Sequence, residues 1–470
     1  MGNRVSGAPF PFQPPSSNDK EVTSGWSVPT GSFVPGTPTP FGTSAQEAPI
    51  GDPNVTFNVN NGFQLNDDGV TGSTFAEPSG ATGGGVVLIS ANWLAAYSTD
   101  GGNTFTPLYP TLIFPPFGFC CDQIVQYVPS IDRFIWLLEG NGMLLAAASP
   151  AGIMSSNGTA WWEWRLTPDF FGQPNGTSFD YPDLSVGTNY LYASWTTHVP
   201  TPGTTGLQVI RIPLGEIQAG GTIHVESTKP SDSAMAGLGH LSQNTQDEIF
   251  WAGHNKSGGS QSMRVFSAAE GSRRYFWRDI GISSWANNKL SSTTPDNQNW
   301  LATSPGNFHA ITGATRSSNQ IWFAWSAGTD NNFQQPHVEL VALDRNNDFS
   351  VISQEQIWND SYAFAMPALA TNACTGEIGL SLEYGGNGNY ENHVVGFWGD
   401  FVVYITTNSN VGTTRFGDYV TIRQDPTPGL DGAFFDAFGY GLNTVPTPGS
   451  GSQSDIRHVV FGRGGACAPG

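Results

Sequence analysis

The chain has 470 residues, with 18 Lys and Arg against 38 Asp and Glu, a formal charge of −20. Such a surface repels phosphate backbones and anionic lipid headgroups, which argues against nucleic-acid binding and against docking on membranes. The 58 glycines and 33 prolines disfavour helices, whereas 15 Trp, 30 Phe and 13 Tyr suit sheets. No apolar run reaches bilayer-spanning length.

Residues 1–50 are rich in Pro, Gly, Ser and Thr and carry no strand pattern. They read as an extended arm, a candidate for self-assembly, ahead of a single domain over 51–470. From about residue 54 a hairpin recurs: a short strand, a polar turn, then a strand rich in aromatic and branched residues. An early copy runs from Thr74–Glu77 through a turn at Gly80–Gly84 to Gly85–Ile89. The next pairs Cys121–Tyr127 with Arg133–Glu139, and another pairs Tyr181–Val186 with Tyr190–Trp195. Later copies start at His240, His309, Pro367 and Gly417. This spacing of roughly 40 to 65 residues suits propeller blades. Leu94–Ser98 with Thr104–Leu108, and Leu144–Ser149 with Trp161–Leu166, supply outer strands for two blades. The expected fold is all-β: a seven-bladed β-propeller, with an N-terminal strand near Thr56–Val59 closing the last blade and removing its exposed edge.

Cys120, Cys121, Cys374 and Cys467 allow three disulfide pairings in an oxidising compartment. They lack the spacing of a structural zinc site. Asn-x-Ser/Thr sequons at Asn54, Asn157, Asn175, Asn255 and Asn359 fit a secreted, extracellular glycoprotein. Asn66–Gly69 and Asp344–Asp348 look like fragments of calcium loops but read as polar turns.

Ser98-Thr99-Asp100-Gly101-Gly102-Asn103-Thr104-Phe105 resembles the Asp-box of sialidase-like propellers, with Phe105 where that family usually has Trp. Degenerate versions stand at Ser149–Gly152 and Ser267–Gly271. The resemblance implies a propeller and leaves the activity open, because enzymes, lectins and scaffolds share the box. Sialidases also carry an Arg-Ile-Pro element near the start. Here Arg211-Ile212-Pro213 lies mid-chain, on an outer strand, which argues against a sialidase arginine triad.

In an antiparallel hairpin the start of one strand lies beside the end of the next, so these positions share one mouth of the ring. His240, His254, His198, His309, Asp122 and Glu139 are the candidate catalytic groups, suited to acid–base work on a sugar. Asp183, Tyr181, Trp195, Tyr419, Asp418 and Arg423 are candidate substrate contacts. The aromatic rings would stack on sugar faces and Arg423 would neutralise a uronate. The same groups could hold calcium or another divalent metal. The expected function is therefore a secreted carbohydrate-active enzyme, a glycoside hydrolase or polysaccharide lyase acting on a glycan. The alternatives are a non-catalytic glycan-binding lectin and an extracellular assembly protein.

Overall fold

The computed structural model describes residues 76–115, 117–200, 203–230, 239–254, 261–302, 309–400, 402–426, 434–444 and 452–463, together with short strands at 10–11, 33–35, 37–39, 55–60 and 64–65. Asn66–Gly69, the sequons Asn54 and Asn255, and Cys467 lie outside these residues.

Antiparallel meanders follow one another along the chain. Ser79–Gly83, Val86–Ala91, Leu94–Ser98 and Thr106–Leu108 form the first sheet. Gln123–Val128, Arg133–Gly140, Gly142–Ala148 and Trp162–Leu166 form the next. Others span 178–227, 248–281 and 311–358. The last sheet runs over ten strands. Its two parts, 363–405 and 421–463, are linked in the strand ladder by the pair Asn392–Gly441 and pack together through Phe397, Phe435 and Phe461. Val55–Asn60 pairs antiparallel with Ser452–Arg463 and covers the edge that strand would otherwise expose. The architecture is all-β and propeller-like. Among the described residues no helix is long and apolar enough to cross a membrane.

The innermost strands neighbour one another in chain order. Val125 N–H donates to Ser79 Oγ at 3.0 Å. Ser185 Oγ donates to Ser242 O at 2.7 Å, and Thr312 Oγ1 donates to Pro367 O at 2.7 Å. Gly239 bridges Ile311, and Gln243 bridges Thr315. Thr421 Oγ1 then donates to Pro78 O at 3.2 Å, bringing the last inner strand back to the first.

The core lies between sheets. Trp136, Phe134 and Leu138 pack with Val86 and Leu88 of the preceding sheet. Val87 and Ile89 pack on the other side with Phe438, Tyr440 and Leu442 from the far end of the chain. Each fully buried large side chain of this kind contributes about 1.5–3 kcal/mol.

One sequence expectation is corrected. Ala76 and Glu77 lie outside the first inner strand described, and Thr74 and Phe75 lie outside the described residues. That strand is Ser79–Gly83, which occupies the segment expected to turn. Its small residues have weak strand propensity, yet the space requires them. A Cβ on Gly80 would stand 2.4 Å from the Phe438 ring, and one on Gly83 would stand 2.2 Å from the Tyr127 ring.

The 98–105 turn joins the third and fourth strands of the first sheet. Asp100 Oδ1 accepts from the backbone of Asn103 and Thr104 at 3.1 and 2.9 Å, and Oδ2 accepts from Thr104 Oγ1 at 2.7 Å. The hydroxyls of Ser98 and Thr104 and these amides hold the Asp100 pKa down at about 2. Gly101 and Gly102 take the positive φ that the turn demands.

Residues 10–11, 33–35 and 37–39 pair in parallel with Glu226–Ser227, Gln356–Trp358 and Val402–Tyr404 of the same chain. Cys120 and Cys121 form a vicinal disulfide, and Cys374 is also disulfide-bonded.

Candidate functional site at one mouth of the channel

The starts of the inner strands carry unusual backbone. Glu77, Tyr181 and Met366 have φ of 46°, 61° and 54°. Pairing registers shift between Asp180 and Asp183, between Ile311 and Gly313, and between Ala365 and Ala368. A left-handed non-glycine residue costs about 1–3 kcal/mol, and such strain concentrates where side chains must be aimed. Here the bulge after Asp180 lets both Asp180 and Tyr181 face the mouth region.

Asp122, Glu139 and Asp180 each bring a carboxyl oxygen within 4.8 Å of the others. Asp122 and Glu139 are 8% exposed, whereas the Asp180 side chain is half exposed. Glu77, buried, hydrogen-bonds to Asp122 and accepts from Asn92 Nδ2 at 2.6 Å. Asp418 stands on the fourth side, in contact with Arg415, whose guanidinium also lies 3.6 Å from Glu77.

Burial sets the protonation of this group. Desolvation, then the charges of Glu139, Asp180 and Asp418, raise Asp122 well above the carboxylate range. Desolvation, then Asp122 and Asp418, do the same to Glu77. Glu139 is pushed up to about 9 by desolvation and then by Asp180. Its Oε1 lies 3.3 and 3.4 Å from the Cys120 and Cys121 sulfurs. A disulfide has no S–H to donate, so those contacts favour the protonated carboxyl. Carboxyls packed this closely cannot all ionise, and the cluster keeps protons at neutral pH.

Tyr181 and Tyr419 wall the cluster at 5.4 Å in a T-shaped pair. Tyr181 Oη donates to Asp418 O at 3.1 Å, and Tyr419 Oη, fully buried, has no hydrogen-bond partner. His240 stacks on Tyr181 at 5.0 Å, on the channel side. Desolvation lowers its pKa, so it is neutral. His198 sits on the rim, its Nε2 3.7 Å from Asp180.

The remaining candidates lie elsewhere. His254 is enclosed by Trp285 and Trp325 at 4.6 and 4.9 Å, and desolvation pulls its pKa down to about 3. His309 lies beside Trp285, with Nδ1 2.8 Å from Ser326 O. These two histidines meet each other, not the carboxyls. Trp195 is fully buried against Phe171 and Phe179, within the core. Asp183 points inward, accepting from Leu241 N–H at 2.8 Å, with Arg423 3.8 Å away. Arg211, on the third strand of its sheet, is paired with Glu226 at 2.5 Å, away from the mouth.

Sequence reasoning overlooked Glu77, Asp180 and Arg415. Glu77 stands two residues before an inner strand that was misplaced, and Asp180 precedes a bulge. Arg415 stands three residues before Asp418, a spacing that carried no signal outside a helix.

Asp122, Glu139 and Asp180 also form an oxygen set of the hard type that calcium takes. For a sugar, the same set offers a buried acid next to a solvated carboxylate.

No family model and no curated protein matches the chain. Among solved structures it is similar to the phage phi92 endosialidase, at 7% identity over 88% of this chain and 70% of that one, with a TM-score of 0.46. It is also similar to a chain of a mitotic checkpoint complex, at 12% identity over 89% and 97%, with a TM-score of 0.43. An alpha-L-arabinanase of Cellvibrio cellulosa matches at 10% identity over 60% and 94%, with a TM-score of 0.33. All three scores fall below 0.5, so these likenesses carry no argument about activity, and the reading that follows rests on the site.

Proposed function

We propose that the chain is an exported seven-bladed propeller that hydrolyses glycosidic bonds of a neutral glycan at its carboxyl-rich mouth. The observation that carries this is the trio Asp122, Glu139 and Asp180, with oxygens within 4.8 Å and Glu139 held protonated to about pH 9. The blade count is supported by the succession of meanders and by the return of Thr421 to Pro78. Export is supported by the disulfides at Cys120–Cys121 and Cys374.

Glu139 donates its proton to the glycosidic oxygen as that bond breaks. Asp180 attacks the anomeric carbon and forms a glycosyl ester. Esterification removes the Asp180 charge that helps raise Glu139, which eases its turn as base. Glu139 then takes a proton from water, and the hydroxide oxygen displaces Asp180. Asp122 and Glu77 hold Glu139 in a low-dielectric, proton-rich setting. The nearest oxygens of Glu139 and Asp180 lie within 4.8 Å, closer to the about 5–5.5 Å of retaining enzymes than to the about 6.5–9.5 Å of inverting ones, so retention of configuration is the expected outcome.

A neutral glycan and hydrolysis suit the charges better than a uronate and a lyase. A uronate needs a free cation, and Arg415 is engaged by Asp418 and Glu77. Wild-type protein and Asp180→Asn are to be screened for reducing-end release from neutral polysaccharides, with anomeric configuration followed by NMR. Retained product from the wild type, with release about 100-fold or more slower in the variant, is expected. Glycan binding without cleavage would replace this reading with a lectin.

The oxygen trio supports a second use, as a calcium site. Calcium would then raise the Tm at pH 8 in the wild type and not in Asp122→Asn. A Tm indifferent to calcium and to chelator removes this use.

A further inference from the structure

Cys120 and Cys121 are neighbours in the chain and are bonded to each other. A cross-link stabilises a fold mainly by closing a loop of the unfolded chain, and the effect grows with loop length. Adjacent residues enclose no loop, so this bond adds little to stability. Its surroundings give it another use. The pair directly precedes Asp122, the first carboxyl of the mouth. Cys120 N–H donates to Glu139 O at 3.1 Å, and Glu139 N–H donates to Asp122 O at 2.9 Å. These bonds lace the two segments together, and both sulfurs lie against the Glu139 side chain, 3.3 and 3.4 Å from Oε1.

Both cysteines are half-buried, which leaves them open to a small reductant. In the disulfide each sulfur is held by the other, and neither can donate a hydrogen bond. Opening the bond changes both properties. A dithiol supplies two electrons and two protons, the S–S bond breaks, each sulfur gains an S–H, and the dithiol leaves as its own disulfide. The freed sulfurs move apart, so at least one shifts against Glu139. Each S–H then donates to an acceptor, and Oε1 is the one already in contact. A carboxyl drawn to these donors turns from the glycosidic oxygen, which it must meet at hydrogen-bond distance to protonate.

We propose that Cys120 and Cys121 are a positioning pair for Glu139 whose redox state switches the mouth: the disulfide holds the acid in its working pose, and a dithiol reductant takes it out. The effect on rate rests on hydrolysis at this mouth. The movement of Glu139 does not, and it is observable without substrate. Cys374 is also disulfide-bonded, so the experiment separates its reduction from that of the pair.

The full chain, with its glutamate carboxyls labelled with carbon-13, would be followed by NMR before and after dithiothreitol. The Glu139 resonance is identified by its absence in Glu139→Gln. It is expected to move on reduction and to return on reoxidation. On the neutral glycan that the wild type cleaves best, reduction should lower kcat about tenfold or more while KM stays within about twofold. Cys120→Ser combined with Cys121→Ser places hydroxyl donors where the reduced sulfurs would stand. That protein should be slow from the outset and indifferent to dithiothreitol. If it loses further activity on reduction as the wild type does, the Cys374 disulfide is the cause and the proposal is overturned. A Glu139 resonance that stays in place on reduction also overturns it, and this readout decides alone if the double variant fails to fold. A wild type that cleaves no glycan but shows the moving resonance would remove the hydrolytic reading and keep the positioning.

Discussion

Glu139 gives up its proton only near pH 9, because burial and Asp180 both oppose its charge. In the unfolded chain the same carboxyl ionises near 4.3. The folded state therefore binds the extra proton between these values, and stability falls as pH rises from about 4.5 toward 9. Glu383 adds to the same slope. It is fully buried, neither carboxyl oxygen has a hydrogen-bond partner, and desolvation followed by Glu391 raises its pKa. Glu383→Met should raise the Tm at pH 8 and leave it nearly unchanged at pH 4.5. An equal shift at both values would show that ionisation is not the cause. Asp100 works in the opposite sense. Its stabilising turn persists above pH 4 and is lost as pH falls through about 2. Asp100→Ala should speed hydrogen exchange at the amides of Asn103 and Thr104 while leaving the sheets protected.

At the scale of the element, hairpin position was the readable signal. Asp122, Glu139 and Asp418 stand at strand starts and ends, and alternation of turns with aromatic strands located them. The site was less legible where local structure departs from regular pairing. The register shift between Asp180 and Asp183 places a carboxylate where strict alternation would not. His254 and His309 share the expected end of their hairpins, yet both pack against Trp285, from a connecting segment, and not against the carboxyls. No periodicity announces such a segment. The first inner strand was missed because its sequence, Ser-Gly-Ala-Thr-Gly, is selected for small size against Phe438 and Tyr127. Gly80→Ala should cost about 1–3 kcal/mol in denaturant unfolding through overpacking. Loss of that cost in Gly80→Ala combined with Phe438→Leu would identify the contact as its source.

Across the whole molecule, ring closure joins distant parts of the chain. Val55–Asn60 completes the sheet that ends at Arg463, and Thr421 meets Pro78. A truncation that removes residues 1–60 should leave Ser452–Arg463 as an exposed edge, lower the Tm and promote aggregation. Deletion of residues 1–50 alone keeps that strand, and the difference between the two truncations measures the closure. The same ring gives the molecule two unlike ends, one lined with carboxyls and one enclosing a polar cavity around Arg423. The acidic end carries the central claim. Its most direct test is kcat/KM of Glu139→Gln on the best neutral glycan, with folding checked by circular dichroism. The account predicts a folded protein with a loss of about 100-fold or more. A folded Glu139→Gln protein cleaving at the wild-type rate would contradict it.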